Sequence, residues 1–170
     1  MGKSVPFRDS LEVPLLIRYP AAFGRGVVDD REVGLVDIAP TIYDLLGIQP
    51  AHTMDGHSLL SGYARTGSYH EFTNEKSQLV VKESGVAATK VPDWATYRIG
   101  NQAYVEYYGR DGTVMRREFY NDRDQQKNLL APQYADRRPP AWLLAQFATL
   151  LAAARTCAGT AESGAAQPCP

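Results

Sequence analysis

The sequence predicts a mixed α/β chain: the end of a mixed sheet with a helix, then a small antiparallel sheet packed by a C-terminal helix, an α+β arrangement. Three observations predict it. Val13–Tyr19 is a nearly continuous apolar run ended by Pro20, the composition of a strand covered on both faces. Three short runs, 95–99, 103–108 and 114–120, are rich in β-branched and aromatic residues and are separated by Gly100-Asn101 and Arg110-Asp111-Gly112. Asp-Gly between such runs is a strong hairpin signal. Finally, 141–154 reads as a helix entered through Pro139-Pro140, with Trp142, Phe147, Leu150 and Leu151 as its apolar stripe.

Between strand and meander lies the stretch around which the rest is organised. Gly24–Asp30 reads as a loop and Val33–Val36 as a short extended segment. Asp37 is a good helix N-cap, since its carboxylate can accept from N–H groups that the first turn leaves unpaired. Pro40 is tolerable only in or beside that first turn. Ile38, Ile42, Leu45 and Leu46 then share one helical face, and Gly47 can take the left-handed conformation that stops the helix. Residues 47–67 are loop-rich, and His70-Glu71-Phe72 is expected to begin a strand.

The chain has 170 residues, 44% hydrophobic and 22% charged, with a formal net charge of -1. That is ordinary globular composition, and it offers no electrostatic footprint for nucleic acid. No apolar run is long enough to span a bilayer, and the first eight residues contain no apolar core of a signal peptide. The two cysteines, Cys157 and Cys169, sit in an Ala- and Gly-rich tail with no histidine nearby in sequence, which argues against a metal site. A disulfide closing that tail is favoured over two free thiols, and it implies an oxidising compartment. Disulfide and absent signal are compatible if the chain is the C-terminal piece of a longer exported protein. The expected division is 1–67, the end of an α/β domain; 68–155, sheet plus helix; and 156–170, the tail.

Three ordered motifs carry a resemblance. Residues 2–18 are similar to the sulfatase segment G-K-x-x-x-Y-E-x-x-x-R-V-P-L-x-x-R. Residues 35–48 followed by 54–60, LVDIAPTIYDLLGI and MDGHSLL, closely resemble the late part of the sulfatase catalytic domain. Residues 118–129 resemble the sulfatase signature E-L-Y-D-L-x-x-D-P-x-E-x-x-N-L, with Tyr120, Asp124, Asn128 and Leu129 matching, and Asn121, Arg123, Gln125 and Lys127 departing.

The resemblance implies sulfate-ester hydrolysis by a formylglycine hydrate beside a calcium ion held by oxygen ligands. It implies that Lys3 binds the sulfate group. Arg8 and Glu12 stand where the family has Glu and Arg, a swap that fits a reversed ion pair. His70 and Glu71 would line the substrate pocket. His57 varies in the family and is structural, and Asp29-Asp30 read as solvated loop carboxylates. Neither cysteine has the C/S-x-P-S/A-R context of the nucleophile, so nucleophile and metal ligands lie upstream, no metal is expected on this chain, and its partner is the N-terminal remainder of the catalytic domain. The protein would be extracytoplasmic. Alternatives are a metal-dependent phosphoesterase of the same superfamily, or a non-catalytic glycan- or partner-binding module.

Overall fold

Pairing of the β-rich runs follows the alternation of their side chains. A computed structural model describes residues 5–51, 53–73 and 92–157. Strands β1 (Ser68–Phe72), β2 (Asp93–Ile99), β3 (Gln102–Tyr108) and β4 (Val114–Asn121) form one sheet in the order β1-β2-β3-β4. β2 and β3 are antiparallel with Trp94 opposite Tyr107, and β3 and β4 are antiparallel with Tyr104 opposite Phe119. Both predicted turns form. Gly100 and Gly112 take positive φ, which a side chain would oppose, and Asp111 Oδ1 accepts from the Thr113 amide and hydroxyl.

The chain divides into two units, Met1–Val13 with Tyr69–Leu151, and Pro14–Ser68 with Ala152–Pro170. In the first, both faces of the sheet are covered. One face carries Trp94, Ala103, Val105, Tyr107 and Tyr120, against which Leu11 and Phe72 pack. The short helix α1 (Arg8–Leu11) delivers Leu11, and Phe7 meets the Tyr120 ring edge-on. On the opposite face Phe147 packs against Tyr104 and Phe119. Phe147 comes from helix α3 (Ala141–Thr156), the predicted C-terminal helix.

Each face of the sheet also buries one carboxylate among tyrosines. Glu106 accepts from the hydroxyls of Tyr104 and Tyr108 and from Arg117 Nε. Glu118 accepts from the hydroxyls of Tyr107 and Tyr120, while the Arg116 guanidinium lies over the Tyr107 ring. These tyrosines are packing, as expected. Burial, and then the neighbouring carboxylate, pushes the phenols of Tyr104, Tyr107 and Tyr120 well up.

The mixed α/β class therefore holds, but four local expectations do not. Val13–Tyr19 is not a strand: it is irregular and exposed, with Leu16 92% accessible. A strand is held by the ladder on its flanks, and no described residue pairs with this run. Residues 33–36 are not an extended segment throughout, because Leu35–Asp37 is a turn of 3₁₀ helix leading into α2 (Ile38–Leu46). Within α2 the apolar face is not buried, since Ile42 and Leu46 are exposed and Thr41 is the buried residue. In α3 Trp142 is exposed, and the buried stripe runs through Phe147, Leu151 and Ala154 at three- and four-residue spacing.

Candidate functional site

In the first unit the segment that follows Lys3 is held by a side chain more than a hundred residues away. Gln125 Nε2 donates to the Pro6 carbonyl at 3.2 Å, and its Oε1 accepts the Arg8 amide at 2.8 Å. The same Oε1 accepts Arg98 Nη1 at 2.8 Å. Gln125 is buried and is the one described non-glycine residue with positive φ, at 51°. That backbone costs about 1–3 kcal/mol, so its neighbours must impose it.

They do so through the turn after β4. Asp122 Oδ1 accepts the Gln126 amide, Oδ2 the Lys127 amide, and the Asp122 carbonyl the Gln125 amide. Asn128 Oδ1 accepts from the amides of Phe119 and Leu130, and Leu129 N–H reaches the Phe119 carbonyl. The 118–129 signature thus ends in a turn, and Asp122 rather than the matching Asp124 supplies its carboxylate.

Arg8 Nε lies 2.5 Å from Glu12, so the reversed ion pair forms, and Arg98 Nη2 is 3.9 Å from the same carboxylate. Next to these cations, burial first and then Arg98 push the His70 imidazole down to about 4, against the opposing pull of Glu12. His70 and Glu71 are adjacent on β1, and successive strand residues point to opposite faces. The structure therefore does not bring them together: His70 is half-buried, and Glu71 is exposed and accepts the Tyr69 hydroxyl. Lys3 and Cys169 lie outside the described residues. Cys157 follows α3, with its amide on the Ala154 carbonyl.

In the second unit the two pieces of the helix–loop motif are one hydrogen-bonded object. Asp37, Thr41 and Asp44 share one face of the helical stretch, at spacings of four and three. Asp37 Oδ1 accepts the His57 amide, Thr41 Oγ1 the Leu59 amide, and Asp44 Oδ2 the Ser58 hydroxyl. A Cβ on Gly56 would run into the Val36 carbonyl, which is why this loop position takes glycine. Gly47 ends the helix at φ 65°, with the Gly47 and Ile48 amides on the Asp44 and Tyr43 carbonyls.

Asp37 does not cap α2 as its side chain would from an extended backbone. Its own φ and ψ are helical, so its carboxylate turns back to the Gly34 amide and across to Arg65. Burial alone would raise that carboxyl. Arg65 and the amides of Gly34 and His57 outweigh it and hold it below the usual carboxylate range. His57 stacks on Tyr63, and Asp29 pairs with Arg31, which also donates to the carbonyls of Leu59 and Tyr63.

Arg65, Asp122 and Arg98 act through contacts with no local signature in the sequence, and Gln125 shows there only as a departure from the signature. Among the described residues no group of three or more His, Cys, Asp or Glu is arranged to hold a metal ion.

The chain is similar to the following known proteins and family. A solved structure, BT4656 in complex with its substrate D-glucosamine-2-N,6-O-disulfate, matches at TM-score 0.49 and 18% identity, over 68% of this chain and 22% of that one. The extracellular sulfatase SULF-1 homolog of Drosophila melanogaster is 42% identical over 59 residues, which are 35% of this chain and 5% of that protein. The chain thus spans a small part of the length of either. The family described as N-sulphoglucosamine sulphohydrolase, C-terminal, matches residues 2–90, just over half of the chain, and takes in both pieces of the helix–loop motif. The chain belongs to that family of sulfatase C-terminal regions.

Proposed function

We propose that this chain is the C-terminal portion of a sulfatase that hydrolyses sulfate esters, with Lys3 binding the sulfate group. The family match over residues 2–90, which includes Lys3, carries this reading. The formylglycine nucleophile and the calcium ion belong to polypeptide outside this chain, so the isolated chain is inactive. Calcium would supply Lewis-acid and charge-neutralising chemistry there. Exposure of the large apolar residues Leu16, Val27, Val28, Leu35, Ile42 and Leu46 supports a covering partner. The partner is the N-terminal remainder of the catalytic domain.

The family description and the name of the fly relative favour a sulfated amino sugar over an aryl sulfate, and an extracytoplasmic location. No helix of the described residues is long and apolar enough to cross a membrane. His70 and Glu71 remain proposed substrate-pocket residues, each on its own face of β1.

The test joins this chain to the polypeptide bearing its C/S-x-P-S/A-R motif. The wild-type protein is expected to release sulfate from p-nitrocatechol sulfate or sulfated glucosamine. Lys3→Ala should lower kcat/KM by about 10²–10³-fold, as loss of one oxyanion donor does. The 170-residue chain alone should release nothing above a heat-killed control. Turnover of phosphate monoesters only would replace this reading with a phosphoesterase. Sugar binding with no turnover of either ester would replace it with a binding module.

A further inference from the structure

The sheet unit carries a cavity that nothing in the proposed chemistry uses. Its volume is about 350 Å³, and Tyr104 of β3, Met115 of β4, Leu130 and Leu144 of α3 are among the residues that line it. It therefore lies on the side of the sheet that α3 covers. Such a volume is at the lower end of the range in which small ligands are held. Every lining residue belongs to the first unit.

The charge of this cavity is one-sided. Arg116, Arg117 and Arg138 line it, and no aspartate or glutamate does. Strand alternation sorts the first two. Arg116 lays its guanidinium over the Tyr107 ring on the far face, while Arg117 stands opposite Glu106. Glu106 Oε1 accepts Arg117 Nε at 3.0 Å, which orients that guanidinium although the side chain stays 55% exposed. The same carboxylate already accepts the Tyr104 and Tyr108 hydroxyls. Arg138 is exposed and meets no carboxylate among the described residues, since the neighbouring ion pair belongs to Arg137 and Asp136. Its backbone is extended, and Pro139-Pro140 stiffen the chain that follows, so the cation stands on a rigid base.

We propose that this cavity binds a sulfated sugar unit, with a sulfo group on Arg117 and Arg138 and the carbon face of the ring on Met115, Leu130 and Leu144. The anion follows from the arginines; the sugar rests on the sulfatase reading above. A guanidinium offers paired N–H donors that match the oxygens of a tetrahedral oxyanion, and it gives up its hydration more readily than an ammonium does. A pyranose ring presents C–H groups on its faces as well as hydroxyls. Apolar side chains beside the two cations therefore suit a sulfated sugar better than a bare inorganic anion, which would leave that apolar surface in water.

Met115 supplies a reporter inside the cavity, so the site can be read without turnover. The experiment labels the methionine methyl groups of the complete protein with carbon-13 and titrates it with a heparin-derived tetrasaccharide. The Met115 signal, assigned by its loss in Met115→Leu, should move and saturate. Arg138→Gln should raise the apparent Kd about tenfold or more, the size of one lost hydrogen bond to a charged group. Arg137→Gln removes the same charge one residue away, from a residue that does not line the cavity, and should stay within about twofold of wild type. Arg138→Lys should recover part of the loss.

Two further probes fix the chemistry. The same tetrasaccharide stripped of its sulfo groups should leave the Met115 signal in place, and inorganic sulfate at equal concentration should move it far less. A Met115 signal that never moves, equal losses in Arg137→Gln and Arg138→Gln, or an equal response to the stripped sugar or to sulfate alone would overturn the proposal. Its failure and that of the proposed function are read separately. A protein that binds at Met115 but turns over no sulfate ester keeps the site and refutes the function, and turnover with Met115 unmoved does the reverse.

Discussion

Arg65 Nη2 lies 2.5 Å from Asp37 Oδ1, and both side chains are at least nine-tenths removed from solvent. This pair joins the chain leaving the helix–loop motif to the start of the helix. Removing one member of a buried pair leaves the other as an uncompensated charge, at a cost of about 3–5 kcal/mol. Arg65→Met is therefore expected to strip hydrogen-exchange protection from residues 34–63. Adding Asp37→Asn to it should restore part of that protection. Equal protection in wild type and Arg65→Met would show the pair to be dispensable.

Acid should weaken the first unit through His70. Its imidazole titrates near 6.5 when unfolded and at about 4 in the fold, chiefly because of burial. Between those values the unfolded chain binds the proton and the folded one does not, so stability rises with pH. The contribution, up to roughly 3 kcal/mol, is present above about pH 6.5 and lost as the pH falls toward 4. Denaturant unfolding across that range should show this slope in the wild type and a flatter one in His70→Gln. Parallel curves would mean His70 is not buried neutral.

Gly56→Ala should damage the second unit although it adds only a methyl group. The new Cβ would meet the Val36 carbonyl and the Asp37 amide, which are backbone atoms that cannot move aside cheaply. A loss of about 1–3 kcal/mol is expected, as for overpacking elsewhere. It is read as faster exchange at the His57 and Leu59 amides, which the motif holds on Asp37 and Thr41.

Pairing of Cys157 with Cys169 is the last expectation to test. A loop of this size is worth about 3 kcal/mol in the chain-entropy model. Alkylation without reduction, followed by mass spectrometry of the exported protein, should find neither cysteine modified. Two modified cysteines would remove both the disulfide and the oxidising compartment inferred from it.

Local chemistry made much of this legible. Alternating β-branched and aromatic residues with Gly-containing turns foretold β2 to β4, and Gly47 foretold the end of α2. The Arg8–Glu12 pair followed from a swap of charges four residues apart, the spacing at which helical side chains meet. What the sequence concealed depends on partners remote in the chain. Val13–Tyr19 has the composition of a strand and no ladder to join among the described residues. The polar stripe Asp37–Thr41–Asp44 matters because a loop fourteen to twenty residues on docks there. Gln125 looked like a departure from a signature, because the backbone groups it holds leave no trace in side-chain composition.

The bond between Gln125 and Pro6 joins residues 119 apart, and this sets an order of events during synthesis. Chains grow at about 5–20 residues per second, so Pro6 waits on the order of ten seconds before Gln125 exists to receive it. Until then Phe7 and Leu11 have no finished sheet to lie on. Residues 6–8 are thus among the last of this chain to find their place, and a nascent chain stalled before the turn at Asp122 would present them to chaperones.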